Sequence, residues 1–288
     1  MLIIKKLVFS NFLVALCVLS LFQITSFLFD FSPSNELLVL IFLSSFSCYN
    51  FMKINSNSIN NKSYKKDSFL KLVASLSSLT SVILILKLGL GFYFLPLIII
   101  AIFYTFSIER LIKLISSRFL FSKKINYSFF KKTIRDIPFL KIFIIVFCWS
   151  YLTFLFPVIF FKVEFSFDVI IHFFIRLFFV FAITIPFDIR DIDFDKIHTI
   201  PSFLGIQKSK YVSYFSLFVC ELLSLMLLLY KYINLSTFLA FYITFEISLL
   251  FIFFIKKNSK ELYFSFYIEG VSILMFVLIY IANFVFKC

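Results

Sequence analysis

The stretch IPFDIRDIDFDKIHTIPSFLG, residues 185–205, sets four carboxylates, Asp188, Asp191, Asp193 and Asp195, within eight positions of an otherwise apolar chain. On a helix turning about 100° per residue, Asp188, Asp191 and Asp195 would fall within about 60° of one another, and Asp193 roughly 140° from Asp188. Carboxylates grouped in this way repel each other unless a cation sits among them. Mg2+ suits the pattern, because it binds one or two carboxylates together with substrate phosphates. It also turns a group that repels phosphate into one that attracts it. The plainer reading of the same residues is a solvated loop with scattered charges.

Arg176 is the second group that needs a reason. It lies mid-span in HFFIRLFFVFAITIPFD, one turn after His172. A charged side chain at that depth costs at least about 2.5 kcal/mol on insertion scales, so it should face a polar interior. It precedes Asp188 by twelve residues, about 18 Å along one helix. It would line the deep end of the same cavity or pair with an intramembrane glutamate: Glu221, Glu246 or Glu269. Transporters and proton relays also use such glutamates. A third cluster joins FYTF at 103–106 to RDIPFLK at 135–141. It would bring a phenol, Tyr104, and two cations, Arg135 and Lys141, near the aspartates, or simply anchor helix ends with positive charge.

The elements that position these groups are set by composition. Of 288 residues, 62% are hydrophobic and only 15% charged, against about 25% charged in a typical soluble domain. The mean hydropathy is +1.04. One soluble core cannot hide that excess, so the expected solvent is a bilayer. The net charge of +13 then reads as membrane topology, not nucleic-acid binding. Cys17, Cys48, Cys148, Cys220 and Cys288 have no metal-ligand spacing and read as small hydrophobes.

Nine stretches are apolar enough to span the hydrocarbon: 7–29, 36–54, 68–88, 90–108, 138–161, 166–187, 209–230, 234–255 and 262–285. The first is read as a retained helix, since its apolar run exceeds that of a signal peptide and no small-residue cleavage site follows. With the N-terminus in the cytoplasm, every Lys and Arg falls inside except Lys87, Lys162, Lys231, Lys287 and the intramembrane Arg176. That asymmetry supports nine helices and a C-terminus outside. The longer connections, near 55–67, 109–137 and 188–208, are inside, so polar chemistry is expected on the cytoplasmic face. The expected fold is one all-α polytopic membrane domain over residues 1–288.

Together these residues resemble the UbiA superfamily of intramembrane prenyltransferases. The likeness is strongest at DIRDIDFDKIHTIPSFLG, which is similar to the superfamily's second aspartate-rich motif, DxxDxxxD, followed by a tail matched by Thr199, Pro201 and Gly205. RDIPFLKIF resembles the basic segment that follows the superfamily's tyrosine, matched by Tyr104. The first motif, NDxxDxxxD, departs: in YNFMKINSNS only Asn50 matches, and Phe51, Ile54 and Ser58 stand at the aspartate positions. Asn55 and Asn57 lie nearby, but neutral amides replace carboxylates poorly around Mg2+. His198 occupies a place where many members carry a fixed cation, which would make phosphate contacts sensitive to pH.

The resemblance implies a polyprenyl diphosphate donor, an isoprenoid chain lying among the helices, and a hydrophobic or aromatic acceptor that attacks the allylic cation. Asp188, Asp191 and Asp195 would hold Mg2+ and act in catalysis. Asn50, Tyr104, Arg135, Lys141, Arg176, Arg190 and Lys196 would bind substrate, the basic ones stabilising the departing diphosphate. The expected setting is multi-pass, in a bacterial inner membrane, with no nucleic-acid partner. The degenerate first motif keeps a second expectation open: a family member that binds or moves a lipid or small solute without turnover.

Overall fold

A computed structural model describes residues 10–55, 68–106, 133–134, 137–193, 199–256 and 259–285. Among them every regular element is helical. In chain order these are α1 (Phe12–Leu28), α2 (Asn35–Asn55), α3 (Ser68–Lys87) and α4 (Gly91–Thr105). α5 runs from Leu140 to Phe160, α6 is Phe167–Arg190, α7 the short Ile200–Leu204, α8 Ile206–Leu229 and α9 Leu235–Phe253. α10 (Val271–Val285) follows a π-helical turn, Tyr263–Ile268.

Seven of the described helices are long and apolar enough to cross a membrane: α2, α3, α5, α6, α8, α9 and the segment Tyr263–Asn283. α1 and α4 are apolar but shorter. α3 and α4 form the tight hairpin expected from the Lys87–Gly91 connection, and Lys87 at its turn pairs with Glu36 at the start of α2, 2.6 Å apart. Each long helix packs against its neighbours in the chain, and the circuit closes where α10 returns to α1. α4 joins α5 through Tyr93 and Phe94 against Phe156. Among the seven long spans α6 is the most enclosed and α3 the least. Large apolar side chains, among them Phe69, Leu86, Phe92 and Leu229, remain on the outside. In hydrocarbon that exposure is neutral; association there rests on packing and interhelical hydrogen bonds.

Three irregularities in these helices set up the polar interior. In α5 the wide turn Tyr151–Leu155 precedes Pro157. Proline has no N–H, so the carbonyl four residues earlier, that of Thr153, loses its helical donor. The Thr25 hydroxyl on α1 donates to it at 2.7 Å. In α6 the sequence reading placed a boundary near 187, marked by Pro186, but the helix continues through that proline to Arg190. Prolines are tolerated in membrane helices because neighbours re-satisfy the freed groups. The extension carries Asp188 on the last helical turn into the bundle. Before α10, Glu269 N–H donates to Phe264 O at 3.1 Å, a five-residue step that turns the Glu269 side chain inward.

Gly270 permits that last device, since a Cβ there would lie 2.1 Å from the Phe266 carbonyl oxygen. Gly270→Ala should lower stability by about 1–3 kcal/mol through overpacking. Gly91→Ala, where a Cβ meets nothing within 4 Å, should be neutral. Thermal unfolding of the detergent-solubilised variants distinguishes the two.

Candidate functional site

The site is built where one end of α2, α5, α6 and the π turn before α10 meet. Lys141, in the first turn of α5, and Asp188, in the last turn of α6, form an ion pair with Nζ to Oδ1 at 2.8 Å. Both are buried, at 7% and 3% exposure. A charge pair so enclosed is tolerated only when its geometry is good, because desolvation opposes the Coulombic gain. One residue beyond the helix, Asp191 accepts two bonds from Arg190, from Nε at 2.7 Å and Nη2 at 2.9 Å. The Arg190 guanidinium also lies over the Phe187 ring, 5.2 Å from its centroid.

Because α6 stops at Arg190, Asp188 is the one helical member of the acidic group among the described residues. Asp191 caps the helix and Asp193 lies exposed in the following turn. The expected helical face shared by Asp188, Asp191 and Asp195 therefore does not extend past the first of them in the described chain. Asp195, Lys196, His198 and Arg135 lie outside the described residues.

The end of α2 converges on the same place. Asn50 is fully buried; it donates to Phe46 O at 2.8 Å and Ser10 O at 3.1 Å, and accepts from Asn11 at 3.1 Å. Its amide thus ties α2 to the start of α1. Phe51 points outward at 42% exposure and packs on Phe106. Lys53 is half-buried and within Coulombic reach of Arg190, Glu261 and Glu269. Glu269 is 9% exposed, and its Oε2 has no hydrogen-bond partner. Deeper in, the Trp149 indole N–H donates to the Tyr49 hydroxyl. Tyr104, half-buried near the end of α4, lies within reach of Tyr49.

The tail Thr199–Gly205 has a local explanation of its own. Thr199 N donates to Ser202 Oγ at 2.7 Å, and Thr199 Oγ1 accepts from Ser202 N at 3.4 Å, a capping box that starts α7. Pro201 sits in the first turn, where its missing N–H is harmless. Gly205 has φ +82° and ψ 164°, a region open essentially to glycine alone. Lys210 donates to the Phe253 and Ile255 carbonyls at 2.9 and 2.6 Å, satisfying the C-terminal end of α9.

Arg176 is not part of this end. Its Nη1 donates to Leu21 O at 2.7 Å and Thr153 Oγ1 at 3.1 Å, and its Nη2 to Thr25 Oγ1 at 3.3 Å. It therefore bonds α1 and α5, not Glu221, Glu246 or Glu269. Glu221 and Glu246 neighbour each other across α8 and α9.

The fit to Mg2+ can be tested on these contacts. Asp188 Oδ1 is engaged by an ammonium and both Asp191 oxygens by a guanidinium fork. Among the described residues no three His, Cys, Asp or Glu side chains converge as a metal site. The Asp188 and Asp191 carboxylates are matched to protein cations, and the described residues do not assemble a cage for the ion.

No family model, curated protein or solved structure matches the chain.

Lys53, Tyr49 and Trp149 were not singled out by sequence reasoning, and Glu269 was noted only for its depth. Lys53 is spaced four residues from Tyr49 and three from Asn50, so it shares a helix face with each, and Gly270 marks the turn that aims Glu269; both signals were present in the sequence. Removing one partner of the buried pair should be far worse than removing both. Lys141→Met should cost on the order of 3 kcal/mol, and the double variant Lys141→Met/Asp188→Leu should recover most of it. A double-mutant cycle on detergent melting curves measures the coupling.

Proposed function

We propose that the chain is a nine-span membrane protein with a cytoplasmic N-terminus, UbiA-like in plan, that binds a polyprenyl diphosphate at this polar end. It transfers the isoprenoid group to a hydrophobic or aromatic acceptor. The observation that carries the reading is the convergence of the Asn50–Lys53 end of α2 with the Asp188–Arg190 end of α6, seen in the Lys53–Arg190–Glu269 cluster. Those are the two places where the superfamily's aspartate motifs stand. In that arrangement Lys141, Arg190 and Lys53 meet the diphosphate and stabilise its charge as the allylic C–O bond breaks. Asp188 and Asp191 hold two of these cations in position beforehand, so little reorganisation accompanies the step. Glu269, with its unpartnered oxygen, receives the proton that the acceptor loses. Mg2+ is proposed to enter with the diphosphate.

The direct Lys141–Asp188 pair favours a second reading. There an ammonium takes the place of a metal on Asp188, and the protein binds the isoprenoid without turning it over.

Diphosphate release and prenyl transfer by the purified protein separate the two. The transferase reading expects Mg2+-dependent release that falls at least about tenfold in Asp188→Asn and in Arg190→Ala. Tight binding of the polyprenyl diphosphate without release at any Mg2+ concentration would establish the second reading. Release unchanged in both variants would remove the assigned roles.

A further inference from the structure

Arg176 presents a charge problem that the polar end does not solve. It lies about 14 Å along α6 from Phe167, and is only 5% exposed. Its three hydrogen-bond partners, the Leu21 carbonyl and the Thr25 and Thr153 hydroxyls, are all neutral. Among the described residues no carboxylate lies within ion-pair distance of it. Neutral oxygens satisfy donors but leave a full positive charge in a low-dielectric interior. Of the five guanidinium N–H groups, these bonds leave the Nε–H and one Nη2–H unspent.

A small, partly open cavity of about 10 Å3 adjoins it, lined by Arg176, His172 and apolar side chains including Phe154, Ile175, Phe179 and Phe241. His172 is itself 5% exposed and packs edge-on to Phe29. The volume admits about one water-sized particle. Among the described residues no carboxylate, hydroxyl or amide side chain lines the space. A water there would find at most one side-chain acceptor, the unprotonated nitrogen of a neutral His172, for its two hydrogens, whereas an anion needs donors only. Polyatomic oxyanions are too large.

We propose that this cavity binds a single monatomic anion of the halide class, held between the Arg176 guanidinium and the His172 imidazole, which neutralises the cation at the heart of the bundle. The site locks α6 to α1 and α5 and is independent of any transferase activity.

The test uses bromide and the full-length protein in detergent. Thermal midpoints are compared in sodium bromide and sodium gluconate at equal ionic strength, for the wild type and for His172→Phe, which keeps the packing and removes one donor. Arg176 itself is left intact because its loss endangers the fold. The expected result is a saturable rise in midpoint with bromide in the wild type, as for any ligand of the native state, that is lost in His172→Phe. Crystals grown in bromide should show anomalous scattering between Arg176 and His172. An equal bromide response in both proteins, no response in either, or a cavity holding only water or nothing would each overturn the proposal.

Discussion

Inside hydrocarbon no polar group can be left to the solvent, and the described interior is organised around that constraint. The knot formed by Arg176, Thr25 and Thr153 is its clearest expression. Pro157 withdraws one backbone donor, the Thr153 carbonyl turns to Thr25, and the two threonine hydroxyls in turn accept from Arg176. One missing N–H thereby joins α1, α5 and α6. In water the same carbonyl would have been solvated and the three helices would have gained no connection from it.

The polar end obeys the same rule with charges. Lys141 and Asp188 neutralise each other across α5 and α6, and Arg190 and Asp191 do so at the helix terminus. Such pairs add little net stability compared with well-packed apolar residues. Their value is positional: they hold cations at a defined depth, with the aromatic surfaces of Phe187 and Phe264 beside them. Glu269 departs from the rule at this end, as Ser45, Ser150, Tyr214, Glu221 and Ser272 also do among the described residues, because one of its oxygens is buried without a partner. A group of that kind is held there by its surroundings, here by the wide turn before it and by Gly270 after it.

The apolar stretches were legible because their signal is cumulative: many consecutive Ile, Leu and Phe must avoid water wherever they fold. The tight turn at Lys87–Gly91 was legible too, since two glycines and a lysine interrupt that run. The spread of the aspartates was not. Periodicity assumes that the helix continues, and α6 ends at Arg190, so Asp191 and Asp193 take directions set by a turn. The partners of Arg176 were equally hidden, because a backbone carbonyl freed by a distant proline leaves no mark in residue type.

By itself the sequence determined an apolar, helix-forming chain suited to a bilayer, with most of its charges outside the apolar runs, because burial of apolar surface and the exclusion of charge from hydrocarbon act on each segment separately. Only the tertiary structure decided which charges meet. Asp188 pairs with Lys141 from 47 positions away, and Arg176 with a carbonyl 155 positions away. Such contacts depend on which helices become neighbours and how each is rotated, and both follow from the packing of the whole bundle, not from any one segment.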